Sequence, residues 1–424
     1  MLNAEEIGIY IHIPFCKSKC YYCDFNSYAQ RDYLIPEYCK ALIREVEFSS
    51  KGLNKLYGEN YKTNGSKALK SNVSSVLNNT VNDCDLLYRS EDMSYGSKEI
   101  RVKSIYFGGG TPSLLPPGYI CRIIDECMKC YNISEDAEIT MEANPGTLTW
   151  EKLETYKKAG INRLSIGLQA WQNRLLNDIG RIHTAEDFVN NLNMAREAGF
   201  TNISADLIFG LPGQELDEWE ETLERVIDEG IEHLSCYDLK IEEGTVLEKK
   251  IKMGEIQPIV DELDRKMYHM AIKKLKSKGL KHYEISNFSK KGYESRHNMI
   301  YWKSEEYIGL GAGAHSYFES KRYNNVEKPK DYMYNISIGK IPAENIHILT
   351  EKDKISEYII LGLRLVDGIN IKEFKHKFGK ELSVLYGGNI DILIERGLLC
   401  FSGERLKLTS LGLDLANQVF VEFI

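Results

Sequence analysis

No stretch of this sequence approaches the roughly 20 uninterrupted apolar residues of a membrane-spanning helix, so none is expected. Positive charge is not in excess. Lys and Arg number 54 against 62 Asp and Glu, a net charge of −8, which argues against a nucleic-acid-binding surface over the whole molecule. Met1 to Glu6 carries neither a basic region nor an apolar core, so no signal peptide is expected. A disulfide framework is missing too: ten cysteines in 424 residues are scattered once the first loop is passed. A reducing cytoplasm is the natural setting, and peripheral membrane association finds no support in the sequence. A hydrophobic fraction of 43% with 27% charged residues suits a globular chain of one large domain and a small one.

The exception to the scatter is Cys16-Lys-Ser-Lys-Cys20-Tyr-Tyr-Cys23, directly after the apolar, β-branched run Ile7 to Ile13, which reads as a buried strand. Three thiolates from one short loop can hold three irons of a [4Fe-4S] cluster. Asp24 and Phe25 follow, and no fourth cysteine does, so one iron is left open to a non-protein ligand. Zinc is the competing reading, with His12 as a fourth ligand; chance clustering of free cysteines is the other.

The spacing C-x3-C-x2-C after a strand resembles the radical S-adenosylmethionine (SAM) superfamily. The longer string Tyr10-x-His12-Ile-Pro-Phe-Cys16 resembles its branch of oxygen-independent coproporphyrinogen III oxidase and the heme chaperone HemW. The resemblance runs from about Tyr10 to the C-terminus and implies SAM chelating the open iron. Heme and heme-accepting proteins follow as ligand and partners in the chaperone reading.

Along the chain, Tyr33 to Phe48 carries a helical stripe, and residues 50–98 read as a polar surface insertion. Strands are expected at Val102–Phe107, Ile139–Pro145, Leu164–Gln169, Asn202–Phe209 and His233–Leu239, with helices between them. With the first strand this makes six parallel strands, an α/β fold of the partial (β/α)6, TIM-like barrel type. A long helix is expected over 258–278, a strand over His282–Phe288, and an ordered string His297-Asn298-Met-Ile-Tyr301-Trp302. After about Leu349 the pattern becomes that of a small winged-helix-like α+β domain. Its ten Lys/Arg against eleven Asp/Glu speak against DNA. The expected units are 1–250, 251–349 and 350–424.

Chemistry in an α/β barrel gathers at the C-terminal ends of its strands. Gly108 to Pro112 ends the second strand, and glycines let a ligand approach the backbone. By the resemblance, Gly109, Gly110 and Thr111 contact the SAM amino group. Glu142 and Asp206 are carboxylates inside apolar strands, expensive to bury without a partner; ligands or an internal ion pair would explain them. Gln169 ends the fourth strand. Arg181 matches the family's SAM-contacting arginine by its spacing from Gln169 and could clamp a carboxylate. Tyr10 and Tyr22 flank the cysteine loop, with ring faces suited to adenine or methionine. Cys121, Cys127 and Cys130 share a helical stripe with Ile120, Ile123 and Ile124, and read as small buried hydrophobes.

His297 precedes an apolar pair in a polar loop and is the expected heme ligand, with Asn298, Tyr301 and Trp302 beside the porphyrin and His315 as the rival ligand. Phe25 stands where the oxidase has its fourth cysteine, and the first strand begins at about Ile7 without the oxidase's N-terminal extension. Both departures favour a heme chaperone over a radical SAM enzyme on a tetrapyrrole, whether that oxidase or a methyltransferase. No catalytic residue is assigned.

Overall fold

The computed structural model describes residues 6–52 and 101–424. Most of the insertion expected at 50–98 therefore lies outside the described residues.

Six parallel strands form where the periodicity places them: β1 Glu6–Ile13, β2 Arg101–Gly109, β3 Asn132–Ala143, β4 Arg163–Gln169, β5 Ile203–Phe209 and β6 His233–Asp238. They pair in chain order, each in parallel with the next. Helices Pro117–Cys130, Trp150–Lys158, Ala185–Glu197 and Leu216–Asp228 make the crossovers. Thr149 and Thr184 cap two of them, each accepting from a backbone N–H three residues on.

Alternation along the strands sets the two faces. Ile7, Ile9, Ile11, Ile105, Phe107, Ile139, Met141, Leu164 and Ile166 join the large core against the helices. The alternate positions carry Tyr10, Ser104, Tyr106, Glu142, Arg163, Ser165, Asp206 and His233. Side chains in a strand point to opposite faces in turn, so one sheet has an oily outside and a polar inside.

The sheet is wider than six strands. The expected strand over His282–Phe288 is a hairpin, β7 Lys281–Glu284 and β8 Asn287–Ser289, antiparallel to β6. At the opposite edge β9 Tyr307–Leu310 pairs with β1 in parallel as a seventh parallel strand. It continues into the antiparallel strands β10 His315–Phe318, β11 Lys321–Asn325 and β12 Ala343–Ile348. The order is β12-β11-β10-β9-β1-β2-β3-β4-β5-β6-β8-β7; among the described residues the two edges do not pair, which leaves a partial barrel.

After Leu349, helices Glu351–Gly362, Ile371–Phe378 and Leu382–Glu395 surround a three-stranded antiparallel sheet, β13 Ile369–Asn370, β14 Leu399–Ser402 and β15 Arg405–Leu408. This is the winged-helix-like arrangement, and its buried residues form a core of their own. Backbone bonds from Ile285 N to Arg364 O (3.0 Å) and from Val366 N to Tyr283 O (3.1 Å) join it to β7.

Candidate functional site

Three hydrogen-bonded anchors hold the cysteine loop at the C-terminal mouth of the strands. Tyr28 N donates to Pro14 O at 2.8 Å, Tyr21 N to Ile179 O at 3.0 Å, and Leu247 N to Tyr21 O at 2.8 Å. Asn26 Nδ2 reaches the carbonyls of Ala312 and Glu327, both at 3.0 Å. The three thiols are free, and burial raises Cys16 and Cys23 above the ordinary thiol value, against hydrogen bonds from their neighbours that lower it. Thiolates in such a place require nearby positive charge, which a bound metal would supply.

The zinc alternative fails on His12. Its Nδ1 is bonded to Tyr10 Oη (3.0 Å) and its Nε2 to Asn26 O (2.8 Å), so neither nitrogen is left for a metal. Among the described residues no three His, Cys, Asp or Glu converge on one ion. Three sulfurs that each bind a different iron need not converge.

From Cys16 a polar chain runs across the mouth. Thr111 Oγ1 donates to Cys16 Sγ at 3.6 Å, Asn144 Nδ2 to Thr111 Oγ1 at 2.9 Å, and Arg181 NH1 to Asn144 Oδ1 at 2.8 Å. The Arg181 guanidinium lies 5.9 Å from the Tyr22 ring centre and bonds its hydroxyl. Arg181 Nε is buried without a protein partner, as befits a group that receives a ligand carboxylate. Gln169 completes this layer at φ 74°, a left-handed conformation that a non-glycine residue holds at some cost. A Cβ on Gly167 would meet Gln169 Nε2, Asn144 Oδ1 and an Arg181 nitrogen. Beside them opens a cavity of about 370 Å³ that includes open solvent, with Cys20, Thr111, Asn144 and Arg181 in its wall.

The glycines serve close approach. Gly109 has φ 111° and a Cβ there would run into the His12 ring, while a Cβ on Gly110 would meet Phe15 O at 2.7 Å and Cys16 Sγ at 3.0 Å. One layer deeper, Glu142 accepts from Tyr106 Oη (2.8 Å) and Gly109 N (3.1 Å). Burial, then the Asp206 charge, pushes its pKa up to about 7. Asp206, raised by burial, accepts from Ser165 Oγ at 3.2 and 3.0 Å.

Cys16, Cys20, Cys23, Tyr22, Gly110, Thr111, Gln169 and Arg181 thus share the mouth, with Tyr10, Gly109, Glu142 and Asp206 beneath it. The string from His297 to Trp302 lies away from the mouth, against the deeper layer, where the His297 ring stacks on Tyr106. It is not a polar loop but the helix Arg296–Trp302, capped by Ser295 Oγ, which accepts from Asn298 N. His297 is 1% exposed, with Nδ1 on Ser104 Oγ and Nε2 on Tyr301 Oη, both 2.8 Å. Trp302 stacks under the Arg364 guanidinium at 4.3 Å. This geometry presents no imidazole nitrogen of His297 to a heme iron. Its polar neighbours Ser295, Arg296 and Asn298 form the capped first turn of a helix whose His297 and Ile300 are buried.

Asn144 and Tyr106 join the site without having been singled out from sequence. Asn144 lies two residues beyond Glu142 and Tyr106 two residues before Gly108, so strand alternation puts each on the face of a residue already chosen.

A sequence pattern for the Radical SAM superfamily matches residues 91–226, and one for the HemN C-terminal domain matches 349–415. The chain is 35% identical to the heme chaperone HemW of Bacillus subtilis over 98% of both chains. It is 32% identical to HemW of Lactococcus lactis, over 98% of this chain and 96% of that one. This chain belongs to the HemW family of the radical SAM superfamily. A mitochondrial radical S-adenosyl methionine domain-containing protein 1 of Danio rerio is 30% identical over 94% of this chain and 84% of its own. In structure, coproporphyrinogen III oxidase (HemN) of Escherichia coli superposes with a TM-score of 0.78 over 99% of this chain and 90% of that one, at 20% identity. That likeness shows a common fold. No helix among the described residues is long and apolar enough to cross a membrane.

Proposed function

We propose that this HemW-family chain is a heme chaperone that holds one [4Fe-4S] cluster on Cys16, Cys20 and Cys23, takes SAM at the open iron, and passes heme to acceptor proteins. The observation that carries it is the unbroken run of polar contacts from the Cys16 thiol through Thr111 and Asn144 to Arg181, whose buried Nε has no partner. In this reading Arg181 receives the SAM carboxylate, Gly109 to Thr111 its amino group, and Glu142, Gln169 and Asp206 the rest of the amino acid and ribose. Tyr22 and Tyr10 line the wall. When bound, the cluster supplies electrons and a Lewis-acidic iron; the chain positions SAM and keeps water from the deeper layer.

An imidazole that is to hold heme iron must be reachable. His315, exposed at the start of β10, meets that requirement and His297 does not. Residues 1–250 form the cofactor core, 251–349 carry the edge strands and the His297 helix, and 350–424 form the winged-helix-like unit. Unprotected thiols suit a reducing cytoplasm. The oxidase reading is disfavoured by Phe25, which is 63% exposed where a further cysteine would be needed.

Anaerobic reconstitution followed by titration with SAM and with heme tests the proposal. About four irons per chain, a spectrum perturbed by SAM, and a Soret band lost in His315→Ala but kept in His297→Ala are expected. Absence of heme binding by the parent, or protoporphyrinogen formed from coproporphyrinogen III at about 0.1 per second or faster, a rate within the enzymatic range, defeats the chaperone reading.

A further inference from the structure

Glu142 is reached by polar groups from nearly every element around it. Tyr10 on β1, Tyr106 on β2, Arg163 on β4, Asp206 on β5 and Tyr237 on β6 all interact with its charge, as does Tyr301 from the helix below. Two groups, the Tyr106 hydroxyl and Gly109 N, bond its carboxylate directly. Gly109 is fixed by the sheet. Tyr106 is a long side chain on the inner face, and its ring needs a wall.

His297 is that wall. Its imidazole stacks on the Tyr106 ring with centroids 5.0 Å apart and an interplanar angle of 25°. Tyr10 packs beside both, its ring 6.2 Å from Tyr106 at 23° and 6.3 Å from His297 at 32°. The imidazole cannot drift. Ser104 of β2 and Tyr301 of its own helix hold both nitrogens, and His297 N donates to Glu138 Oε1 of β3 at 3.1 Å. Gly8 leaves the room it occupies, since a Cβ there would meet Ile300 and the His297 ring. Burial, then the Arg163 charge, brings its pKa down to about 3, so it stays neutral through the range in which Glu142 titrates.

We infer that His297 is a positioning residue for SAM binding: stacked on Tyr106 and pinned by Ser104 and Tyr301, it holds the Tyr106 hydroxyl on the Glu142 carboxylate. The inference rests on Glu142 belonging to the SAM pocket. Because the Tyr106 hydrogen bond favours ionised Glu142, its loss moves the Glu142 titration to higher pH, and SAM affinity then reaches its plateau at higher pH as well.

The test uses the full-length, cluster-reconstituted protein and two readouts across pH: SAM affinity, and the infrared carboxyl band that vanishes in Glu142→Gln. In the parent both should turn over near pH 7, the value to which Glu142 is raised. Tyr106→Phe should move both upward by about one to two pH units, the effect of one hydrogen bond to a charged group. His297→Ala should move them the same way, and the double variant no further than either single one, since both changes remove one interaction. Ser104→Ala, which frees Nδ1 while keeping the ring, should give a smaller shift in the same direction and stands in should His297→Ala not fold. A merely structural His297 would lower the melting temperature but leave the midpoint at the parent's value. That result, or additive shifts in the double variant, overturns the inference. If the parent binds no SAM, the pocket reading fails, yet the infrared band still decides whether His297 governs Glu142.

Discussion

Gly110→Ala tests the closest approach in the site. A Cβ at this position would lie 2.7 Å from Phe15 O, 2.9 Å from Ile13 O and 3.0 Å from Cys16 Sγ. Two of these obstacles are backbone atoms in a paired region, so no side-chain rotation relieves them. An ordinary contact needs roughly half an ångström more at the nearest oxygen. The 110–111 segment must therefore withdraw, stretching Gly110 N to Ile13 O and Thr111 N to Phe15 O, both now 2.8 Å. Two weakened hydrogen bonds at about 1 kcal/mol each, or an overpacked contact at about 1–3 kcal/mol, give the same figure of about 2 kcal/mol. Spread over the unfolding entropy of a chain this long, that lowers the melting temperature by only about 2 °C. Iron content is the sharper readout, because the segment that withdraws carries Thr111, the hydrogen-bond donor to Cys16. We expect Gly110→Ala to reconstitute with markedly less iron than the parent, while Gly118→Ala, with nothing within 4 Å of the new methyl, keeps full iron. Full iron occupancy and unchanged SAM affinity in Gly110→Ala would refute the close-approach argument.

Arg181→Lys replaces a planar fork by a single ammonium that cannot bond Asn144 and a ligand carboxylate with the same geometry. SAM affinity should fall by about 1–3 kcal/mol with iron content unchanged, and equal affinity by calorimetry would remove Arg181 from the pocket. Glu45 makes a separate prediction about stability. Its carboxylate is buried between helix Ile35–Gly52 and the β9–β11 extension, accepting from Gly311 N (2.7 Å), Asn325 Nδ2 (2.6 Å) and Tyr332 Oη (2.6 Å). Burial nevertheless pushes its pKa from 4.5 up to about 7. The folded state thus holds this proton more tightly than the unfolded chain, so the stability it contributes is complete below about pH 4.5 and is lost as pH rises to about 7, with a ceiling near ~3 kcal/mol. Glu142 and Asp238, both raised to about 7, slope the same way. Melting curves between about pH 5 and 7.5 should therefore fall less steeply in Glu45→Gln than in the parent, and parallel curves would contradict the assignment.

Much of the architecture was legible along the chain because its cause is local. Alternation in Ile7-Gly-Ile-Tyr-Ile-His-Ile13, Leu164-Ser-Ile-Gly-Leu168 and Ile203-Ser-Ala-Asp-Leu207 fixes both the strands and their two faces. Spacing alone groups the three cysteines, and capping residues such as Thr149 and Thr184 mark helix starts. The edge strands were not legible. β10 and β11 are short, and the residues between them, Glu319 and Ser320, take φ 48° and 61° without a glycine or asparagine to announce the turn.

The tertiary structure decided which polar residues act together, because distances across a sheet depend on register rather than spacing. Pairing of Tyr10 with Tyr106 and of Gly167 with Asp206 is set by the β1–β2 and β4–β5 ladders, and no local signal encodes it. It also decided the surroundings of His297. A histidine between arginine and asparagine reads as exposed, but the helix turns it inward, where Ser104 and Tyr301 satisfy both nitrogens and burial costs it its basicity. The sequence by itself determined what each residue can do; packing determined which of them meet.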